Sequence, residues 1–155
     1  MKKMRKEREQ LATLRHCWHT LMGYFRDRKL TGDYPLLHDL SPQETGAIDL
    51  IAETPAIIVR ELGLGLQVPK STLTSILDRL ERDGYIQRVI SNRDRRSFGL
   101  DLTPLGAKVY AQHLAFEATS WEHVLGLLEN QDDRERFVSM MGRIAQSLAV
   151  KSSTD

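Results

Sequence analysis

Apolar side chains recur along most of this chain at helical spacing, and in one short stretch the period drops to two. Leu11, Leu14, Trp18, Leu21, Met22 and Phe25 fall on one stripe and predict a first helix. Thr31 to Leu40, with Gly32 and Pro35, reads as a loop. Ser41-Pro42-Gln43-Glu44 predicts a helix start, with Ser41 as N-cap, Pro42 at the first helical position and Glu44 completing a capping box. Ala47, Ile48, Ile51 and Ala52 are its buried face. Pro55 precedes a third helix, Ala56 to about Gly65, with core positions Ile58, Val59, Leu62 and Leu66. Gly63 and Gly65 weaken its last turn by up to about 1 kcal/mol each relative to alanine.

Val68-Pro69 then turns the chain into a helix from Pro69 that Gly84 stops. Leu73, Ile76, Leu77 and Leu80 form its buried face, and Ser71, Thr74, Ser75, Asp78 and Arg82 lie opposite. Tyr85 to Ile90 reads as a strand, Ser91 to Arg96 as a polar turn, and the alternation of Phe98, Leu100 and Leu102 as a second strand. Two short helices joined by a tight turn, followed by a hairpin with a basic tip, look like a winged helix-turn-helix.

Thr103-Pro104 marks another helix start. That helix, predicted to run to about Glu129, carries two apolar stripes. Leu105, Val109, Phe116 and Leu127 form one, and Tyr110, Leu114, Trp121, Leu125 and Leu128 the other. Gln131-Asp132-Asp133 begins a last helix with acidic residues where the macrodipole favours them. Phe137, Met140, Met141, Ile144 and Leu148 give its stripe, and Lys151 to Asp155 is expected to fray. The expected fold is therefore mainly α with a small β-hairpin wing. A winged helix-turn-helix core is flanked by N- and C-terminal dimerisation helices. Residues 1–155 form one protomer, with a DNA-binding lobe at 41–103 and dimerisation helices at 10–30 and 104–150. The flanking stripes carry more apolar surface than one protomer covers, which predicts a homodimer; the monomeric alternative is a single bundle.

Composition sharpens this only locally. The net charge of +1 conceals eight Lys/Arg against five Asp/Glu in residues 60–100, and five against eight in 101–155. A basic centre beside an acidic tail suits a nucleic-acid footprint. One cysteine excludes an intramolecular disulfide framework and fits a reducing, cytoplasmic setting. Met1 to Arg8 is basic without a following apolar core, so it is not a secretory signal, and no apolar run spans a membrane.

A recognition helix presents its N-terminal residues to base edges, which singles out Pro69, Lys70, Ser71, Thr72, Thr74 and Ser75. Lys70 and Arg82 suit phosphates. Arg79 fits either role, or a brace to the wing through Asp94. At the tip, Arg93, Arg95 and Arg96 suit a minor groove, whose negative potential attracts arginine. Asp94 carries the wrong sign for DNA and is read as holding a neighbouring arginine. The plainer alternatives are an ordinary exposed helix surface and a solvated polar turn.

Ser71-Thr72-Leu73-Thr74, then Leu77-Asp78-Arg79-Leu80-Glu81-Arg82-Asp83-Gly84-Tyr85-Ile86, Arg88, Asp94-Arg95-Arg96 and Leu102-Thr103-Pro104-Leu105-Gly106 resemble the MarR family of bacterial transcriptional regulators. The resemblance covers about residues 10 to 150. It implies a pseudo-symmetric homodimer on palindromic promoter DNA, with Arg96 probing the minor groove and Asp94 orienting the wing. It also implies repression relieved by a small, often aromatic or phenolic, effector. The third helix departs from the family pattern, with Gly63-Leu64-Gly65 in place of more polar residues.

Candidate sensing residues have plainer readings too. Cys17 lies at the edge of the first stripe and is read as a buried structural cysteine, with redox sensing the alternative. His16, His19, His38, His113 and His123 match no metal-ligand spacing, so neither metal nor cofactor is expected. An effector pocket is placed among Trp18, Tyr24, Phe25, His38, Ile51 and Tyr110. No phosphate-cradling glycine loop, nucleophile elbow or paired His-Glu zinc signature points to an enzyme. A winged helix serving protein interaction without DNA is the rival from another class.

Overall fold

A computed structural model describes residues 2–25, 33–90 and 98–152. Helix α1 (Lys2–Phe25) begins well before its apolar stripe. Its first turns are lysine, arginine, glutamate and glutamine, all good helix formers, and Arg5 pairs with Glu9 at 2.9 Å one turn on. Every residue from Met4 to Thr20 is exposed in the single chain, Trp18 at 61%. This corrects the expectation for Cys17: its thiol is exposed in the single chain, because none of the described residues covers the stripe it borders.

The loop expected at 31–40 contains a short 3-10 turn, Pro35–Leu37, that buries Leu37. Helix α2 (Pro42–Glu53) starts with the capping box its sequence spells out. The Glu44 N–H donates to Ser41 Oγ at 3.3 Å, and the Ser41 N–H donates to Glu44 Oε2 at 2.7 Å.

Helix α3 is Val59–Leu66, three residues shorter at its start than expected. Ala56 takes a left-handed φ of 58° and Ile58 is extended, so the helix cannot begin at Ala56. Ile57 is the buried residue there, at 3% exposure, and its carbonyl accepts from the Leu100 N–H at 2.9 Å. The segment before α3 thus adds a rung to the hairpin.

Gly63 and Gly65 also read differently in three dimensions. A Cβ on Gly63 would stand 2.9 Å from Leu73 Cδ2, and one on Gly65 would stand 2.9 Å from Leu50 Cδ1. They are points of close helix packing, where the lost propensity is offset by contact.

Helix α4 (Lys70–Arg82) buries Leu73, Ile76, Leu77 and Leu80 as its spacing predicts. Gly84, at φ 78°, ends it in the left-handed region. Strands β1 (Ile86–Ile90) and β2 (Phe98–Leu102) pair antiparallel, with Ile86 opposite Leu102, Arg88 opposite Leu100 and Ile90 opposite Phe98. The expected tip, with Arg93, Asp94, Arg95 and Arg96, lies outside the described residues. Helix α5 (Pro104–Gly126) leaves the hairpin through Thr103. The Thr103 hydroxyl donates to the Gly84 carbonyl at 2.6 Å, and the Gly106 N–H donates to Thr103 Oγ1 at 3.1 Å.

The chain divides into two units, one up to Phe116 and one from Glu117. The core of the first joins Ala47, Ile48 and Ile51 of α2, Leu62 of α3, the α4 face, Ile86, Leu100, and Val109 and Phe116 of α5. In the second, Trp121 and Phe137 stand with ring centroids 6.5 Å apart, linking the end of α5 to α6 (Gln131–Ser152). Asn130 caps α6, its Oδ1 accepting from the Asp133 N–H at 2.8 Å. Lys151 and Ser152 remain helical rather than frayed. Val138, Met140, Met141, Ile144 and Leu148 on α6 are exposed.

Candidate nucleic-acid interface

Three residues, Gln67, Val68 and Pro69, separate α3 from α4. Gln67 takes the left-handed conformation, φ 52° and ψ 39°, which costs a non-glycine residue roughly 1–2 kcal/mol. Pro69 follows at the N-cap with φ −57°. The change of direction falls on Gln67, and the two glycines upstream serve packing instead.

With the leucines and Ile76 turned inward, α4 presents Lys70, Ser71, Thr74, Ser75, Asp78, Arg79 and Arg82 outward, while Thr72 is half-buried on the flank. Thr74 Oγ1 donates to the Lys70 carbonyl at 3.0 Å, and Ser75 Oγ donates to the Ser71 carbonyl at 3.2 Å. Each hydroxyl therefore uses its hydrogen on its own helix and offers lone pairs outward, a match for the amino groups of adenine or cytosine.

The far half of α4 is tied down on two sides. Arg79 Nε lies 3.2 Å from Glu44 Oε1, and Arg79 Nη2 donates to the Asp39 carbonyl at 2.8 Å. The Glu44 side chain is buried, so its two oxygens do two tasks: Oε2 caps α2 and Oε1 holds α4. On the other side, Arg88 of β1 places Nη2 3.1 Å from Asp78 Oδ1 and Nε 3.0 Å from Glu81 Oε2. At the end of the helix Arg82 grips Asp83 through Nε at 2.9 Å and Nη2 at 3.3 Å. That hydrogen bond holds the Asp83 carboxyl below its ordinary value, opposed by desolvation and helped by the positive charges of Arg82 and Arg79.

A family model described as MarR family matches residues 38–97. The chain is 33% identical over 143 residues to the HTH-type transcriptional repressor YetL of Bacillus subtilis (strain 168), covering 85% of this chain and 74% of that protein. This chain belongs to the MarR family. Among solved structures, it is similar to Streptococcus pneumoniae FabT in complex with DNA, at a TM-score of 0.71 and 26% identity. That match covers 94% of this chain and 97% of FabT. It is also similar to the transcriptional repressor CouR bound to a 23-mer DNA duplex, at a TM-score of 0.66 and 27% identity, covering 86% and 89%. The MarR family and these relatives are transcriptional regulators, not enzymes.

In this MarR-family chain the residues expected to form an effector pocket are dispersed in character. Ile51 is sealed in the core, Trp18 stands on the exposed face of α1, and His38 is exposed. Tyr24 and Phe25 meet edge to face, 5.4 Å between centroids. The Tyr110 hydroxyl donates to Glu53 Oε1 at 3.4 Å. A neighbouring set that sequence reasoning missed joins α5 to α2 and the 3-10 turn. His113 Nδ1 lies 3.0 Å from Asp49 Oδ1, Phe116 stacks on His113 and meets Tyr34 edge-on, and Gln112 Oε1 accepts from the Leu36 N–H at 3.1 Å. The roles of Glu44, Asp39 and Arg88 were missed as well. Glu44 announced itself only as a cap, and the function of Arg88 depends on hairpin register. Among the described residues no cluster of three His, Cys, Asp or Glu side chains forms a metal site, and no helix is long and apolar enough to cross a membrane.

Proposed function

We propose that this protein is a cytoplasmic, sequence-specific regulator of transcription, a repressor that binds double-stranded promoter DNA as a homodimer on palindromic sites and is released by a small molecule. The outward face of α4 carries the reading: Lys70, Ser71, Thr74 and Ser75 are exposed at the start of a helix that follows a tight three-residue turn. The chain's similarity to FabT in complex with DNA and to CouR bound to a DNA duplex supports the same partner.

On this reading residues 41–103 are the DNA-binding lobe. Pro69, Ser71, Thr72, Thr74 and Ser75 read the major groove, and Lys70 and Arg82 pair with phosphate. Arg93, Arg95 and Arg96 enter the minor groove, with Asp94 orienting the wing. Dimerisation through 10–30 and 104–150 is supported by Leu11, Leu14 and Trp18 on α1 and Ile144 and Leu148 on α6, large apolar side chains left in solvent by the single chain. An aromatic or phenolic effector near Trp18, Tyr24, Phe25, His38, Ile51 and Tyr110 would act by changing the spacing of two reading heads matched to half-sites about one helical turn apart.

Fluorescence anisotropy on the upstream intergenic duplex and a scrambled duplex, across a salt series, tests this. Preference for the first, a steep salt slope and two protomers per site are expected. Equal weak binding to both, together with no enrichment from a random duplex pool, would favour a protein-interaction module. A second reading, redox control through Cys17, is favoured by the exposure of its thiol. Loss of DNA binding on peroxide treatment, abolished by Cys17→Ser, would establish it; an unchanged response would remove it.

A further inference from the structure

We infer that Arg79 is a positioning residue for DNA reading, acting through Glu44 and the Asp39 carbonyl to fix the pose of α4, and is not itself a phosphate or base contact. The inference rests on the DNA-reading proposal above. Its starting point is that Arg79 belongs to the outward set of α4 by helical position, yet its guanidinium is already engaged. Nε faces Glu44 Oε1 at 3.2 Å, Nη2 donates to the Asp39 carbonyl at 2.8 Å, and Asp83 Oδ2 stands 3.7 Å from Nε.

Charge decides against a phosphate role. Phosphate binding draws on net positive charge and the counterions it releases. Arg79 is half-exposed, at 45%, but Glu44 faces it from inside with a side chain only 4% exposed. An approaching phosphate meets a neutral pair, and to capture the guanidinium it would strip a buried carboxylate of its partner, which is costly. Lys70, by contrast, is exposed at the start of α4.

Geometry says what the brace accomplishes. Glu44 and Asp39 flank the start of α2, so Arg79 ties α4 to the segment by which the chain enters the lobe. Ser71 lies eight residues before Arg79, about 12 Å along the helix. A tilt of about 10° at the brace would move the reading residues by about 2 Å over that lever. Hydrogen bonds to base edges do not survive such a shift. Attraction to the phosphate backbone, which is long-ranged, does.

The test uses the full chain and four variants, one of them Arg79→Ala, which removes the charge outright. Arg79→Lys keeps the charge and loses the two-point fork. Glu44→Gln keeps an acceptor for the Ser41 N–H, because glutamine also serves in a capping box, and loses the charge facing Arg79. The third variant combines them. Affinities for a pool-selected duplex and a scrambled duplex are measured by anisotropy across a salt series, alongside thermal unfolding. The expected result is a fall of about tenfold in the selected-to-scrambled ratio for each single variant. The double variant should fall no further, and Arg79→Lys should leave the salt slope unchanged. Two results would overturn the inference: wild-type discrimination by both Arg79→Lys and Glu44→Gln, or Arg79→Ala lowering the salt slope by about one on both duplexes while Glu44→Gln is inert. A wild-type protein that prefers no duplex would refute the DNA-reading proposal, and the unfolding data then judge the brace: losses that are not additive uphold it, and additive losses overturn it.

Discussion

Arg88 reaches from β1 to Asp78 on α4, Nη2 to Oδ1, at 3.1 Å, so the hairpin and α4 share a charged clasp. Glu81 completes it on the same side, at 3.0 Å from Nε. Both carboxylates are substantially exposed, so the clasp contributes modestly. Arg88→Ala should lower stability by about 0.5–1 kcal/mol in low salt and by less in molar salt, read by thermal unfolding at two ionic strengths. A loss that is large and insensitive to salt would mean that the arginine stem, packed opposite Leu100, matters more than its charge.

The two glycines of α3 should respond differently to alanine. Leu73, which faces Gly63, is 5% exposed and cannot swing away. Gly63→Ala should therefore destabilise by about 1–2 kcal/mol despite its better helix propensity. Leu50, which faces Gly65, is only half-buried and has room to move. Gly65→Ala should be neutral or stabilise by up to about 1 kcal/mol. Urea unfolding of the pair checks the order, and equal effects would contradict it.

Thr103 stands where β2 becomes α5 and bonds in both directions, to the Gly84 carbonyl and from the Gly106 N–H. Thr103→Ala should cost about 1–2 kcal/mol, and Thr103→Ser should keep most of the stability. Gly106 is buried where an added Cβ would run into the Tyr85 carbonyl, which is backbone and cannot step aside. Gly106→Ala should be more damaging than Thr103→Ala, as thermal unfolding would show.

Asp83 gives an acid-side dependence whose sign is fixed. Its carboxyl titrates below the ordinary 3.8 because Arg82 donates to the charged form. The stabilisation is thus complete above the ordinary carboxylate value and is lost as pH falls through the depressed folded value. Asp83→Asn should flatten that part of the stability–pH curve and lower the neutral plateau by the same small amount, without changing its slope. The effect is small, since the pair is open to solvent.

The α4 face, the Ser41 capping box, the Gly84 stop and the Thr103-Pro104 start were legible in the sequence because each is a local rule. Side-chain spacing of 3.6, a cap three residues from its partner, and a residue free to take positive φ depend on little beyond their immediate neighbours. The hairpin was legible for the same reason, but its consequences were not. Ile57 and Ile58 look alike in sequence, and only the pairing of this segment with β2, where the Leu100 N–H donates to the Ile57 carbonyl, shows that Ile57 is the core residue.

The sequence by itself determined the order of helices and hairpin, the buried face of α4, and the MarR family resemblance. Tertiary structure alone decided that Gly63 and Gly65 are packing contacts, that Gln67 makes the turn, that Cys17 lies open, and that Arg79 and Arg88 hold α4 from opposite sides. Those outcomes depend on groups as far apart as Asp39 and Arg79, brought together by the burial of apolar surface. Periodicity reports which face a residue takes; it carries no information about what stands across from that face.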